Sequence, residues 1–348
     1  MEELVDPAAP RPAPAFWRGR RVLLTGHTGF KGAWAALWLA RLGAETHGFA
    51  LAAEAPEALW TALPGGLLAS ETIGDLRDRA AVAEAVRRAR PQIVLHLAAQ
   101  ALVRRGHADP VGTIATNVLG SAHLLAALGG AEAVLIATTD KVYAQPGPKR
   151  PFRETDPLGG DDPYSASKAS VELIARSFAH RLAIATARAG NVIGGGDFAE
   201  DRLVPDLWRA ARRGAPLRLR FPQATRPWQH VLDPLAGYLL YLERLAGGGG
   251  ALPPALNFGP ASGESVTVAA LAEALGAGGW EADPGPHPPE AAALSLDASL
   301  ARETLGWRPR LGAAEMIEWT ARWYDAFAAG EAAGRLCEAQ IQAWESLP

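Results

Sequence analysis

The sequence predicts an α/β protein, a doubly wound parallel sheet with a smaller C-terminal lobe. Three observations predict it. Short apolar runs of the buried-strand type recur through the first half, separated by segments whose apolar residues keep helical spacing. The first run enters a glycine-rich turn, Gly26-His27-Thr28-Gly29-Phe30-Lys31-Gly32. From about Asp197 the alternation weakens and Pro, Trp and Arg become frequent, which suits a lobe facing the open ends of the strands.

The elements follow in order. Residues 1–15, rich in Pro and Ala, read as a flexible tail. Arg21 to Thr25 is an apolar strand into the turn, and Ala33 to Leu42 is an amphipathic helix. Thr46 to Leu51 is the second strand candidate. Gln92 to Leu97 and Ala133 to Ala137 repeat the buried-strand pattern, preceded by helical Arg79 to Arg90 and Thr113 to Leu128. Parallel strands with crossover helices follow from that alternation. Asp162-Pro163 starts a further helix, Ala183 to Ala187 is a strand before an Arg188-Ala189-Gly190-Asn191 turn, and Gly247 to Gly250 is a surface loop before strand-like Ala255 to Phe258. The expected division is 16–190 for the sheet domain, 191–330 for the lobe, with interleaving allowed, and 331–348 for a C-terminal segment.

Composition narrows the function. The 34 Lys and Arg against 37 Asp and Glu, a formal charge of -3, give no case for nucleic acid or an anionic membrane. Any anionic ligand must then be held by local groups. A single cysteine, Cys337, excludes an intrachain disulfide framework and a cysteine metal cluster, so no metal is expected and a cytoplasmic location fits. No run reaches the roughly 18 apolar residues of a membrane span, and the start lacks a signal-peptide pattern.

Glycines at 26, 29 and 32, between a buried strand and an amphipathic helix, let the backbone approach a pyrophosphate where free N–H groups and the helix dipole favour anions. This spacing is the form that resembles the extended short-chain dehydrogenases/reductases, whose sheet is Rossmann-like. The resemblance implies NAD, with Gly26, Gly29, Phe30, Lys31, Gly32, Asp75, Leu76, Leu97, Ala98, Ala99, Gln100 and Asn117 around it. The usual ribose-binding Asp is missing from the second strand's end; Glu54 substitutes, or the backbone alone holds the ribose. The absence of Arg from Ala50 to Ala58 favours NAD over NADP. Asp75 could equally be a turn or helix cap.

Tyr164 and Lys168, four apart on a helix, share a face where the ammonium can lower the phenol's pKa and make a base for an alcohol losing hydride. The discriminating tract is Thr138-Thr139-Asp140-Lys141-Val142-Tyr143, at the carboxyl end of the Ala133 to Ala137 strand. It keeps a hydroxyl at Thr139 and adds two ionisable groups, costly there unless used or paired. A local ion pair between Asp140 and Lys141 is the plain alternative.

With Phe16-Trp17-Arg18-Gly19, Ala98 to Arg104, Asp140-Lys141, Asp162 to Ser165, Arg188 to Asp197 and Arg226 to Val231, the chain from about Phe16 to Trp323 resembles the CDP-glucose branch of the nucleotide-sugar 4,6-dehydratases. Asp-Lys is the mark of that branch. The resemblance implies a redox-neutral elimination on a CDP-hexose. Tyr164, supported by Lys168, takes the C4 hydroxyl proton as hydride leaves C4; Asp140 is the acid at C6, and Lys141 is the base at C5 or stabilises the enolate while water takes the proton. It also implies substrate contacts from Thr139, Asn191, Arg202, Leu203, Arg226 and Asn257, a homodimer or homotetramer built on Thr113 to Leu128 and Ser167 to His180, and a product leading to deoxysugars of surface polysaccharide. An epimerase or ketoreductase, or a dehydratase for another nucleotide hexose, is the alternative. Trp228, Trp307 and Trp319 read as packing. Two departures stand out: Arg104-Arg105-Gly106-His107 replaces Arg-x-Ser-Tyr, and His287-Pro288-Pro289-Glu290-Ala291 lacks a second histidine.

Overall fold

The computed structural model describes residues 9–54, 57–147, 149–248, 252–261, 266–276, 279–285 and 294–348. The apolar run Arg21–Thr25 forms β1 and turns at once into helix α1, Phe30–Arg41. Next come β2 (Glu45–Ala50), β3 (Ser70–Ile73), α2 (Arg79–Ala89) and β4 (Ile93–His96). Two short helices follow, α3 (Val103–Ala108) and α4 (Pro110–Ile114), then a π-helical turn, Ala115–Leu119, and α5 (Gly120–Ala127). The core is completed by β5 (Ala133–Ala137), α6 (Pro163–Phe178), β6 (Ile184–Ala189), α7 (Leu203–Arg213), α8 (Leu232–Ala246) and β7 (Ala255–Phe258).

The seven strands are all parallel, in the order β7-β6-β5-β4-β1-β2-β3. Strand order reverses between β1 and β4, which opens a crevice above their carboxyl ends. Alternate residues of one strand enter different cores. Val22, Leu24, Ile93, Leu95 and Leu135 pack with Trp34 and Trp38 of α1, Leu235 and Leu239 of α8, and two C-terminal helices, α9 (Ala313–Ala328) and α10 (Ala333–Ser346). Leu23, Val94, Val134 and Ile136 pack with α2, α5 and α6. Burial on both faces is why these strands read as unbroken apolar runs.

Several expectations change. Residues 9–15 are not a loose tail: Ala9 is buried, its carbonyl accepts from Arg310, and the Ala13 N–H donates to Glu243 at 2.8 Å. Residues 1–8 lie outside the described residues. Strand β6 runs through Arg188 and Ala189, which the sequence assigned to a turn, because Arg188 is neutralised by a buried partner on α6. The expected helix from Thr113 is split by its π-helical turn and begins earlier, at Pro110, where Asp109 caps it. Gly247 and Gly248 follow α8 in a turn, whereas Gly249, Gly250 and the His287 to Ala291 segment lie outside the described residues. Trp228 and Trp307 are buried and Trp319 is packed edge-on against His230. Among the described residues, no helix is long and apolar enough to cross a membrane.

Beyond β6 the lobe is made of short strand pairs. Val192–Ile193 lies parallel to Gln229–His230, Thr225–Arg226 antiparallel to Val266–Thr267, and Leu217–Leu219 parallel to Trp280–Ala282. They sit in chain order after the strand ends that form the crevice.

Candidate active site

Gly26 leaves β1 with φ of +77°, and a Cβ there would lie 2.7 Å from the backbone nitrogen of Ala98. A Cβ on Gly32 would fall 1.9 Å from the Gly26 carbonyl oxygen. The turn therefore packs backbone to backbone, against both the start of α1 and the small residues leaving β4. Gly29 begins α1 with no side-chain cap and no acidic residue in the first turn, so the helix end is open to an anion. A dinucleotide pyrophosphate fits that cradle. Two residues after β3, the Asp75 carboxylate is held below its usual pKa by hydrogen bonds from Arg77, 2.6 Å away. Leu76 is buried beneath Gly120 of α5, and Glu54 forms an exposed ion pair with Arg105 at 2.6 Å.

The sheet-end segment Leu97 to Gln100 is tied to the next helices by a chain of hydrogen bonds. The Gln100 N–H donates to Asn117 Oδ1 (2.8 Å), and Asn117 Nδ2 donates to the Gln100 carbonyl (3.0 Å) and to Ser167 Oγ (2.9 Å). Ser167 Oγ donates to the Tyr164 carbonyl at 2.7 Å. Asn117, read from the sequence as a cofactor contact, has its amide occupied within the protein, and the π-helical turn aims it there.

Helix α6 starts with Pro163 in its first turn and with Asp162 accepting the Ser165 N–H at 3.0 Å. Tyr164 and Lys168 are buried on one face, as their spacing predicts. Their electrostatics differ from expectation. Lys168 Nζ donates to the Ala137 carbonyl at 2.9 Å, and burial lowers its pKa to about 8 against the opposing charge of Glu172. Burial raises the Tyr164 phenol to about 12, while Thr139 and the charge of Arg202 pull the other way. Thr139 and Arg202, rather than Lys168, are the groups that favour the phenolate.

Thr139 Oγ1 donates to Asp140 Oδ1 at 3.0 Å. Asp140 is 2% exposed, and its second carboxylate oxygen has no hydrogen-bond partner. Lys141 follows it on a single 3-10 turn, Asp140–Val142, and is half-buried. Among the described residues no ion pair joins the two side chains. Lys31, expected to serve the cradle alone, stands in the same charged cluster. Its Nζ is 3.5 Å from the Tyr238 hydroxyl, and burial, then Arg202 and Lys168, bring its pKa down to about 7.

Arg202 precedes α7, where Leu203 begins, and pairs with buried Asp197 at 3.1 Å. Asn191 follows β6, its carbonyl accepting the Gln229 N–H at 3.0 Å, and Arg226 is a buried residue of the Thr225–Arg226 strand. Asn257 is not available to a nucleotide: it is fully buried in β7, accepting from Tyr143 Oη (2.6 Å) and donating to the Phe152 and Asp297 carbonyls. The departures find places too. Arg104 pairs with Asp201 at 2.6 Å, the Gly106 backbone packs on Tyr164, and His107 is exposed. The buried Glu172–Arg188 pair escaped the sequence reading, although Glu172 lies on the Tyr164–Lys168 stripe, one turn further on.

Comparison with known proteins places the chain in a family. Residues 22–253 match the model of the NAD dependent epimerase/dehydratase family. A CDP-glucose 4,6-dehydratase of Salmonella typhimurium is 40% identical over 91% of this chain and 93% of its own length. Among solved structures, the Thermus thermophilus UDP-glucose 4-epimerase complex with NAD is 29% identical, with a TM-score of 0.75 over 88% of this chain and 99% of that one. DesIV, a dTDP-glucose 4,6-dehydratase from Streptomyces venezuelae with NAD and TYD bound, is 26% identical, with a TM-score of 0.75 over 89% and 98%. With its parallel sheet, its glycine cradle and its Tyr164–Lys168 couple, the chain belongs to the NAD dependent epimerase/dehydratase family.

Proposed function

We propose that this protein is an NAD-dependent hydro-lyase that converts CDP-glucose to CDP-4-keto-6-deoxyglucose and water. The observation that carries the reading is Asp140: a buried carboxylate with one oxygen unpartnered, one residue from the Thr139 hydroxyl and in the same cluster as Tyr164 and Lys168. A buried polar atom left without a partner is costly, so its retention calls for a use. Similarity to the Salmonella typhimurium dehydratase supports the same reaction.

Gly26, Gly29 and Gly32 would hold NAD by its pyrophosphate, and the bound cofactor would supply a hydride acceptor at sugar C4 and a hydride donor at C6. Tyr164 takes the proton of the C4 hydroxyl, and Thr139 holds that oxygen. Thr139 and Arg202 favour the phenolate form in which Tyr164 takes that proton, becoming the neutral phenol, and Lys168 lies one turn further along the same helix. The 4-ketone acidifies C5–H, which Lys141 removes, or which water removes while Lys141 stabilises the enolate. Asp140, entering as the carboxylic acid, gives its proton to the C6 hydroxyl as that leaves as water, and C5 takes a proton back from Lys141 or water when C6 receives hydride. Asn191, Arg202, Leu203 and Arg226 form the nucleotide side, the guanidiniums suiting a diphosphate. An epimerase would use Tyr164 and Lys168 alike but has no use for an acid at C6.

Incubation with NAD and, separately, CDP-, dTDP- and GDP-hexoses tests this. CDP-glucose is expected to give a product lighter by one water, with kcat/KM about tenfold or more above the other nucleotides. Recovery of an epimer, or of unchanged sugar, would refute the reading.

The same reading includes a dimer, a cytoplasmic location and a role in making deoxysugars for surface polysaccharide. Val111, Ile114 and Leu119 along α4 and its π-helical turn, and Leu173 on α6, are large apolar residues between 49% and 76% exposed, which supports pairing these helices with those of a second copy. Leu173→Asp is expected to shift the protein to monomer in analytical ultracentrifugation; a wild type that is already monomeric at micromolar concentration counts against the dimer. The free, buried Cys337 supports a reducing compartment.

A further inference from the structure

The residues assigned to the elimination stand where the sheet has ended. Beyond Thr138, whose N–H still reaches the Ala187 carbonyl, the chain leaves the sheet: Thr139 caps the 3-10 turn Asp140–Val142 that carries Asp140 and Lys141. Something else must fix them against α6.

Glu172 and Arg188, 1% and 0% exposed, meet beneath this turn. Glu172 Oε1 accepts from Thr138 Oγ1 (2.6 Å) and Arg188 Nε (3.0 Å), and its Oε2 accepts from Thr186 Oγ1 (2.6 Å) and Arg188 Nη2 (2.8 Å). Both oxygens are bidentately filled. Arg188 Nη1 then donates to the Tyr143 hydroxyl at 2.9 Å, and that hydroxyl donates to Asn257 Oδ1 at 2.6 Å. The Tyr143 ring is stacked on Phe152, 4.6 Å between centroids, with Arg188 over its face. One ion pair therefore grips the tract at Thr138 through the carboxylate and at Tyr143 through the guanidinium. Its carboxylate belongs to the helix that carries Tyr164 and Lys168, eight and four residues earlier.

We propose that the Glu172–Arg188 pair is a positioning device for the elimination: by holding Thr138 and Tyr143 it sets Thr139, Asp140 and Lys141 in register with Tyr164 and Lys168. The proposal rests on the dehydratase reading above. Glu172 and Arg188 touch no substrate in this scheme; they act through the turn. A misplacement of about 1 Å in such a turn costs on the order of 10²-fold in rate.

Removing Glu172 or Arg188 alone leaves a buried charge and can prevent folding, so the test removes the tethers and keeps the pair. Tyr143→Phe and Thr138→Val each delete one hydroxyl. Amide hydrogen exchange of the peptide covering Thr138–Tyr143, which needs no substrate, is expected to quicken about tenfold in each variant while β5 keeps wild-type protection. With CDP-glucose, kcat is expected to fall about 10- to 10²-fold with KM nearly unchanged, and Thr138→Ser to recover most of it. In Tyr143→Phe, the reduced form of the cofactor accumulates at steady state, because elimination is slowed more than oxidation. Unchanged exchange in the turn overturns the proposal whatever the substrate. Faster exchange with wild-type kcat overturns it too, and a wild type inert towards CDP-glucose with faster exchange in the variants would leave the anchor standing and refute the dehydratase reading instead.

Discussion

Tyr164→Phe lowers kcat and kcat/KM together by about 10²- to 10⁴-fold, the range of a positioned general base. Phenylalanine keeps the ring, and with it the Cβ and backbone that lie nearest Gly106, so the loss belongs to the hydroxyl. The pH profile adds a second, independent mark. Burial holds the phenol up at about 12 and the Lys168 ammonium down at about 8. The Lys168 ammonium, one turn from Tyr164 on the same helix, is thus present below about pH 8 and lost as the pH rises through it. Wild-type kcat/KM is expected to decline on that alkaline side, and the residual activity of Tyr164→Phe to lack this limb. The groups around Lys168 are the Ala137 carbonyl, Glu172 on the same helix, His96 on β4, and Lys31 on α1. Initial rates across pH measure both; undiminished turnover in the variant removes Tyr164 from the mechanism.

What the sequence revealed, and what it hid, follows from how local each interaction is. β1, β4 and β5 were legible because burial on both faces demands unbroken apolar runs. β3 was not: Ser70-Glu71-Thr72-Ile73 is an exposed edge strand, and polar residues there carry no pattern. Ala255–Phe258 reads as a strand, yet its place beside β6 depends on a pairing across almost seventy residues. The cradle, the Tyr164–Lys168 face and the Thr139–Lys141 tract each lie within one short stretch of sequence, so residue types, their placement between strands and helices, and the family resemblance together pointed to them. Arg188 looked like the end of a strand because a lone charge normally does; only the fold brings Glu172 to it. Asn257 shows the reverse, a polar residue whose matching position promised a ligand and whose partners prove to be Tyr143 and two carbonyls. Lys31 lies in the predicted motif, but its nearness to Lys168 and Arg202 is a product of the sheet's order.

Asp140→Asn is expected to slow product formation by about 10²- to 10³-fold while leaving the protein as stable as the wild type or more so. The amide has the carboxylate's size and can still accept from Thr139, but it cannot deliver a proton to the departing hydroxyl. Stability moves the other way because the wild-type carboxylate is 2% exposed with one oxygen unpartnered, a burial that costs folding free energy. A residue kept for structure would show the opposite pairing, lower Tm with activity falling only as folded protein is lost. Oxidation at C4 does not require Asp140, so substrate still reduces the bound cofactor, and its absorbance persists in place of turning over. In deuterated water the wild-type product carries deuterium at C5, and neither Asp140→Asn nor Lys141→Met gives labelled product in the time of a wild-type turnover. Labelled product at the wild-type rate from Asp140→Asn would exclude the carboxylate as the acid. A lower Tm together with such a rate would reduce Asp140 to a packing residue, whereas a stable and slow variant is the trade of stability against function that an orphaned buried carboxylate implies.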